Sequence, residues 1–121
     1  EPETVATAIR IGHPQSWDHA LTAVRESGGR FDAIADEEIL ATQRLLAQRE
    51  GVFCEPASAS SLAGALREIR AGRIPDGSSV VCTLTGHGLK DPDIAIQQAE
   101  TDPITVDAEL NEVAAVLRDA L

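Results

Sequence analysis

A chain of 121 residues has room for one modest domain, or for a piece of a larger one. Hydrophobic residues make up 43% of it and aromatic residues only 2%, so a core must depend on Ala, Leu, Ile and Val, which argues against an all-β sandwich built around large rings. The net charge of −10 repels phosphate backbones and anionic lipid headgroups, and no apolar run approaches the roughly 20 residues of a membrane span, so we expect neither a nucleic-acid nor a membrane partner.

The first predicted element after an entry segment is a helix that begins near Ser16. A serine at that position can cap the free N–H groups of a helix start, and Gly28 supplies a stop. The predicted apolar face of this helix, spaced at i, i+4 and i+7, consists of Trp17, Leu21 and Val24.

A short strand and a second helix are predicted next. Residues 30–35 alternate loosely between polar and apolar types around Phe31, as a strand does. Asp36 is placed to cap a helix that runs to Glu50 and ends at Gly51.

The second half of the chain predicts a third helix, a buried strand and a last helix. Pro56 suits the start of the third helix, which extends to Ala71. Residues 79–84 are β-branched and uncharged, as in a strand that is buried on both faces. Residues 92–106 contain two prolines and little periodicity, which predicts a loop, and Asp107 is placed to cap the last helix.

These elements predict a single α/β unit over residues 1–121, because strands alternate with helices and no linker is long enough to divide two domains. The two cysteines, Cys54 and Cys82, both have apolar neighbours, so we expect them to be core residues rather than metal ligands. Two unpaired thiols are common in cytosolic proteins, which predicts a cytoplasmic location.

The most informative feature is the turn Thr85-Gly86-His87-Gly88, which directly follows the strand predicted at residues 79–84. Ligands of open α/β sheets bind beyond the carboxyl ends of the strands, and a hydroxyl followed by two glycines lets a ligand approach the backbone closely. Spacing alone leaves a second interpretation open, an ordinary tight turn in which glycine supplies a positive φ.

Three blocks of the sequence together resemble the threonine synthase family. They are residues 6–12 (Ala-Thr-Ala-Ile-Arg-Ile-Gly), residues 51–59 (Gly-Val-Phe-Cys-Glu-Pro-Ala-Ser-Ala) and residues 81–92 around the glycine turn. They occur in the order and at roughly the separations of that family. The resemblance extends from Pro2 through Pro92 and less distinctly to the C-terminus.

The resemblance implies a pyridoxal-phosphate (PLP) enzyme of fold type II that converts O-phospho-L-homoserine and water into L-threonine and phosphate. It implies an α/β fold in which residues 1–121 are the C-terminal part of the large PLP-binding domain, with a mostly parallel sheet flanked by helices. It also implies that the Thr85 hydroxyl faces the pyridine nitrogen of PLP. An aspartate there would hold that nitrogen protonated, whereas a hydroxyl tolerates a neutral nitrogen.

Other polar residues of the three blocks allow less specific interpretations. His87 is expected to shape the loop, since no carboxylate or nucleophile is placed to work with it. Lys90 is expected to form a surface ion pair, because the family's cofactor-bearing lysine lies in a different, upstream motif. Glu55 could cap the third helix or line the cofactor pocket, and Arg10 could form a structural ion pair or border the site.

Several features point to an incomplete enzyme. Lys90 is the single lysine of the chain, and the sequence shows no glycine-rich loop that would hold the cofactor phosphate at a helix N-terminus. We therefore expect the chain alone to be inactive, with no catalytic residue and no metal site. A start at Glu1 and the absence of Met indicate a fragment, whose exposed sheet edges and apolar helix faces would favour self-association into a homo-oligomer.

Two alternatives to a threonine synthase stay open. One is a fragment of a related PLP-dependent serine or threonine dehydratase, although the residues around Gly86 favour the synthase. The other is a small stand-alone α/β binding module, supported by the length of the chain, its acidic composition and the lack of a lysine nucleophile.

Overall fold

The structure is a computed structural model that describes residues 1–99 and 104–120. Within these ranges the chain is helical, and short 3-10 helices lie at Thr7–Ile9 and Gly88–Lys90. The α-helices are α1 (Trp17–Ser27), α2 (Asp36–Glu50), α3 (Pro56–Arg70), α4 (Pro92–Gln98) and α5 (Leu110–Ala120).

The helix ends follow the glycine signals of the sequence. Gly28 and Gly51 adopt left-handed conformations, with φ of 66° and 65°, directly after α1 and α2. A residue without Cβ takes this conformation at little cost, so each glycine ends its helix where the sequence predicts.

Neither predicted cap of the first two helices is formed by a side chain. Ser16 precedes α1 but makes no side-chain cap hydrogen bond. Asp36 is the first residue of α2 rather than its cap. Its carboxylate accepts hydrogen bonds from the Thr4 hydroxyl at 2.5 Å and from the Val5 N–H at 3.0 Å, so it holds the N-terminal segment against α2 instead.

The predicted strands at residues 30–35 and 79–84 are not formed in the part of the chain that the structure describes. The β-type pairing found there is a single antiparallel bridge between Cys54 and His87. A strand requires a neighbouring segment that exchanges backbone hydrogen bonds with it, and no described segment does so for either stretch. Val81 is 92% exposed, which contradicts the burial on both faces that its sequence predicts.

The segment predicted as a loop at residues 92–106 contains a helix. Pro92 is the first residue of α4, a position where a missing N–H and a fixed φ favour the helix. Residues 100–103 of this prediction lie outside the described residues, and residues 104–106 carry no regular structure. The last helix is confirmed as α5, but it begins at Leu110, too far along the chain for Asp107 to be its cap.

The core lies where α2 packs against α3. Its buried members are small or aliphatic, as the composition predicts: Ala6, Ile39, Leu46, Cys54, Ala57 and Ala59. The buried Gln43 side chain of α2 donates a 2.7 Å hydrogen bond to the carbonyl oxygen of Cys54. Because an unpaired amide would be costly inside a core, this bond fixes the chain segment that enters α3.

Ion pairs connect residues 30–32 to α3. Arg30 contacts Glu68, and Arg67 contacts Asp32 at 2.7 Å. A hydrogen bond from Arg67 holds the pKa of Asp32 below its ordinary value, and one from Arg73 does the same for the pKa of Glu68. These residues are therefore attached to α3 by side chains rather than by a sheet.

No helix in residues 1–99 or 104–120 combines the length and the apolar character that crossing a bilayer requires.

Candidate functional site

All three sequence blocks contact one another: the Thr7 hydroxyl of the first donates to the Asp91 carboxylate of the third at 2.8 Å, and the second and third pair at the glycine turn. The Glu55 N–H donates to the carbonyl oxygen of Gly86 at 3.0 Å, and the Gly88 N–H donates to the carbonyl oxygen of Phe53 at 3.0 Å. These two bonds flank the Cys54–His87 bridge. The segment that enters α3 is thus paired with the turn that contains Thr85.

The first turn of α3 holds Thr85 and Gly86 through one serine. Ser58 is 1% exposed, and its Oγ accepts a 2.8 Å hydrogen bond from the Gly86 N–H. The same Oγ lies 3.1 Å from Thr85 Oγ1 and 3.3 Å from the carbonyl oxygen of Gly86. The buried hydroxyl of Ser58 therefore lies beside the hydroxyl of Thr85.

The two glycines of the turn are required by close side chains rather than by backbone conformation. Gly86 and Gly88 are not among the glycines with positive φ, so the interpretation as an ordinary glycine turn is wrong. A Cβ on Gly86 would lie 2.1 Å from Glu55 Oε1, and a Cβ on Gly88 would lie 2.4 Å from the Phe53 ring. The groups that lie close to the backbone of these two glycines are therefore side chains of the protein, Glu55 and Phe53, and not a ligand.

Thr85 lies at an opening and not in a packed core. The opening has a volume of about 240 Å³ and is lined by Val52, Phe53, Cys54, Leu84, Thr85, Gly86 and His87. A larger cavity of about 650 Å³ lies between residues 30–36 and α3. We place the candidate site at the smaller opening, because there the Thr85 hydroxyl lies beside a close-packed backbone turn and an apolar wall.

Lys90 forms the predicted ion pair, with a buried partner. Its Nζ lies 3.4 Å from Glu55 Oε2, and the Glu55 side chain is 5% exposed whereas that of Lys90 is 61% exposed. Glu55 is the N-cap residue of α3 by position, yet its side chain makes no cap hydrogen bond. Since a buried carboxylate needs a partner, this pair holds Glu55 against Gly86.

His87 shapes the loop, as the sequence predicts. Its Nδ1 accepts a 3.1 Å hydrogen bond from the Leu89 N–H. Its ring meets the Phe53 ring edge-on, with centroids 5.6 Å apart. Both contacts are within the turn and the segment paired with it, so His87 stabilises the turn that presents Thr85.

Cys54 borders the opening, but it is not a candidate nucleophile. It is 2% exposed, and burial raises the pKa of its thiol. The reactive form of cysteine is the thiolate, so a raised pKa leaves Cys54 inert at neutral pH. Cys82 is only half-buried, so the prediction of two core cysteines holds fully for Cys54 alone.

Arg10 is not at the site, and its contact is not the ion pair considered from the sequence. Its guanidinium donates to the carbonyl oxygen of Thr4 at 2.9 and 2.6 Å. No cluster of three His, Cys, Asp or Glu side chains suited to a metal ion occurs among residues 1–99 and 104–120.

Ser58 is the residue that the sequence interpretation missed. It lies within the block at residues 51–59, but a serine in the first turn of a helix is common and gives no signal of its own. Its role becomes visible only when the turn at Gly86, 28 positions away, is placed against α3.

Comparisons with known proteins identify similar sequences. The family model described as pyridoxal-phosphate dependent enzyme matches residues 1–86. The threonine synthase of Halalkalibacterium halodurans is 57% identical over 103 residues, which are 85% of this chain and 29% of that protein. The threonine synthase of Methanocaldococcus jannaschii is 49% identical over 118 residues, which are 98% of this chain and 29% of that protein. The chain thus spans about three tenths of the length of these relatives.

Proposed function

Because the chain belongs to the pyridoxal-phosphate dependent enzyme family, we propose that it forms the C-terminal part of a threonine synthase. The complete enzyme would convert O-phospho-L-homoserine and water into L-threonine and inorganic phosphate. Identities of 49% and 57% to threonine synthases over most of this chain support this choice within the family. The observation that carries it is the exposed Thr85 hydroxyl, which is held beside Ser58 at the mouth of a partly apolar opening.

The residues at this opening fit the ring of PLP. Val52 and Leu84 offer apolar surface, and Thr85 supplies one polar group that can pair with a ring nitrogen. When bound, PLP supplies the electron sink for reactions at the substrate's carbon atoms. The task of this chain's residues is to bind and orient the ring, with Thr85 at its nitrogen and the Glu55–Lys90 pair keeping the turn in place.

The chain alone is proposed to be inactive. Its single lysine, Lys90, is paired with Glu55, and the resemblance assigns covalent attachment of the cofactor to a lysine in another motif. The groups that hold the cofactor phosphate and the substrate phosphate are likewise proposed to come from outside these residues. The mostly parallel sheet is also a proposal for the complete protein.

We further propose a homo-oligomer in the cytoplasm, without a nucleic-acid or membrane partner. The free thiols of Cys54 and Cys82 support the location. The net charge of −10 argues against polyanionic partners.

The test is a pair of matched substitutions in a PLP holoenzyme that contains residues 1–121. It can be made by joining this chain to the part of the Halalkalibacterium halodurans threonine synthase that it does not match. Thr85→Val removes only the hydroxyl and is expected to raise the dissociation constant of PLP about tenfold, the effect of losing one hydrogen bond of ordinary strength. Fluorescence titration of the apoprotein with PLP measures it.

Thr83→Val is the control, because it makes the same chemical change two positions earlier, where the backbone carbonyl and not the side chain is hydrogen-bonded. It should leave PLP affinity unchanged. Equal affinities of the two variants would contradict the role of Thr85. Phosphate release from O-phospho-L-homoserine tests the reaction itself, and ammonia release from serine or threonine would indicate a dehydratase instead.

A further inference from the structure

We propose that Ser58 is a positioning residue that sets the direction of the Thr85 hydroxyl, so that Thr85 donates its proton to an unprotonated ring nitrogen of PLP. This inference rests on the proposed function, in which Thr85 meets the ring. Ser58 would then be a second residue of the binding site, one that acts on the cofactor only through Thr85.

The hydrogen bonds around Ser58 leave one favourable place for its proton. Ser58 Oγ accepts the Gly86 N–H at 2.8 Å, so its own proton must go to another oxygen. The candidates are Thr85 Oγ1 at 3.1 Å and the carbonyl oxygen of Gly86 at 3.3 Å. That carbonyl already accepts the Glu55 N–H at 3.0 Å. The shorter contact and the less occupied acceptor both favour Thr85.

The direction of this bond decides what Thr85 can offer to a ligand. A threonine hydroxyl has a single proton. When its oxygen accepts from Ser58, that proton is free to point into the opening, where it can pair only with a nitrogen that carries no proton. If Ser58 donated to Gly86 instead, Thr85 would donate to Ser58 and present only an acceptor, which suits a protonated nitrogen.

Burial keeps this arrangement in place. Ser58 is 1% exposed, so bulk water does not compete for its hydroxyl. A Cβ on Gly86 would collide with the Glu55 carboxylate. Because Gly86 has no Cβ, Glu55 can pack against the turn, while Ser58 of α3 accepts the hydrogen bond of the Gly86 N–H. The Ser58 hydroxyl is therefore held inside the fold, next to the exposed hydroxyl of Thr85.

A double-mutant cycle in the holoenzyme described above tests whether Ser58 acts through Thr85. Ser58→Ala is expected to raise the PLP dissociation constant about threefold to tenfold when Thr85 is present, and less than about twofold in the Thr85→Val background. A purely structural role would give the same factor in both backgrounds. Ser60→Ala is the control, since Ser60 bonds the carbonyl oxygen of Ala57 within α3 and should leave PLP affinity unchanged.

The protonation of the ring gives an independent readout. With ¹⁵N-labelled PLP, the ring nitrogen of the unsubstituted holoenzyme should resonate in the unprotonated range, and Ser58→Ala should move it towards the position of a nitrogen without a hydrogen bond. A protonated nitrogen in the unsubstituted protein would overturn the proposed direction. If Ser58→Ala does not fold, Ser58→Cys keeps the volume with a much weaker donor, and the same loss of coupling is expected.

The outcomes separate this inference from the proposed function. If Thr85→Val leaves PLP affinity unchanged, the proposed function fails and the inference fails with it. If Thr85→Val weakens binding but Ser58→Ala acts equally in both backgrounds, only the inference fails.

Discussion

Cys54 and Cys82 are chemically alike but lie in different surroundings. Cys54 belongs to the segment that enters α3, its side chain is buried in the core, and its carbonyl oxygen accepts a hydrogen bond from Gln43. Cys82 is only half-buried. Reactivity of a thiol follows its access to solvent and its thiolate fraction, and burial raises the pKa of the Cys54 thiol.

This difference predicts selective alkylation. At pH 7.5 we expect iodoacetamide to modify Cys82 at least about tenfold faster than Cys54, because the raised pKa and the burial both slow Cys54. Peptide mass spectrometry over a time course measures both rates. Cys82→Ser should leave a chain that reacts only slowly, and urea should remove the protection. Equal rates in the folded chain would show that Cys54 is not sealed.

At this scale the sequence predicts some residues of the site and not others. Thr85 was identified by resemblance, and its exposure at an opening agrees with a ligand contact. Lys90 was assigned to an ion pair, but the identity of its partner, Glu55, depends on a contact across 35 positions. Ser58 could not be found for the same reason, since hydrogen bonds between distant segments leave no local pattern.

Among the elements, α3 and the glycine turn differ in the space that they leave around a glycine. Gly64 lies inside α3, where a Cβ would sit 3.6 Å from Ile34 Cδ1, an ordinary contact. Gly88 lies in the turn, where a Cβ would sit 2.4 Å from the Phe53 ring. The same substitution should therefore have opposite effects at the two positions.

Gly64→Ala is expected to raise the free energy of unfolding by about 0.5–1 kcal/mol, because alanine loses less backbone entropy in a helix. Gly88→Ala should lower it by about 1–3 kcal/mol, as overpacking does. Urea unfolding at one fixed protein concentration measures both, and the Gly64 variant serves as the control for the Gly88 variant. A neutral Gly88→Ala would mean that the Phe53 ring can move aside.

The elements also show which signals in a sequence are local. The boundaries of α1, α2 and α3 were predictable because glycine stops and a proline start act within a single turn of helix. The strands were not predictable in this way. Residues 79–84 have the composition of a strand, but no described segment pairs with them through backbone hydrogen bonds. Membership of the PLP-dependent family supports the α/β class, while the sheet itself stays a proposal.

The molecule as a whole leaves much apolar surface uncovered. Near α1 an apolar cleft of about 300 Å³ is lined by Pro14, Trp17, Ala20, Leu21 and Phe31. Trp17 is 49% exposed and Phe31 is 59% exposed. Soluble proteins rarely leave contiguous apolar patches open to water unless another surface covers them.

We therefore predict that the isolated chain self-associates. Its mass by light scattering should rise with concentration, and the emission of Trp17, the only tryptophan, should shift to shorter wavelength as its ring leaves water. A monodisperse monomer with unchanged emission at all concentrations would contradict this prediction.

The contact between α3 and the glycine turn closes a long loop in the chain. Ser58 and Gly86 are separated by 28 positions, and the entropic cost of closing a flexible loop grows only logarithmically with its length. The two hydroxyls face each other only while this loop stays shut. Residues between Gly72 and Thr83 need touch no ligand, yet the conformational entropy that they lose on closure is part of the cost of keeping the two hydroxyls together.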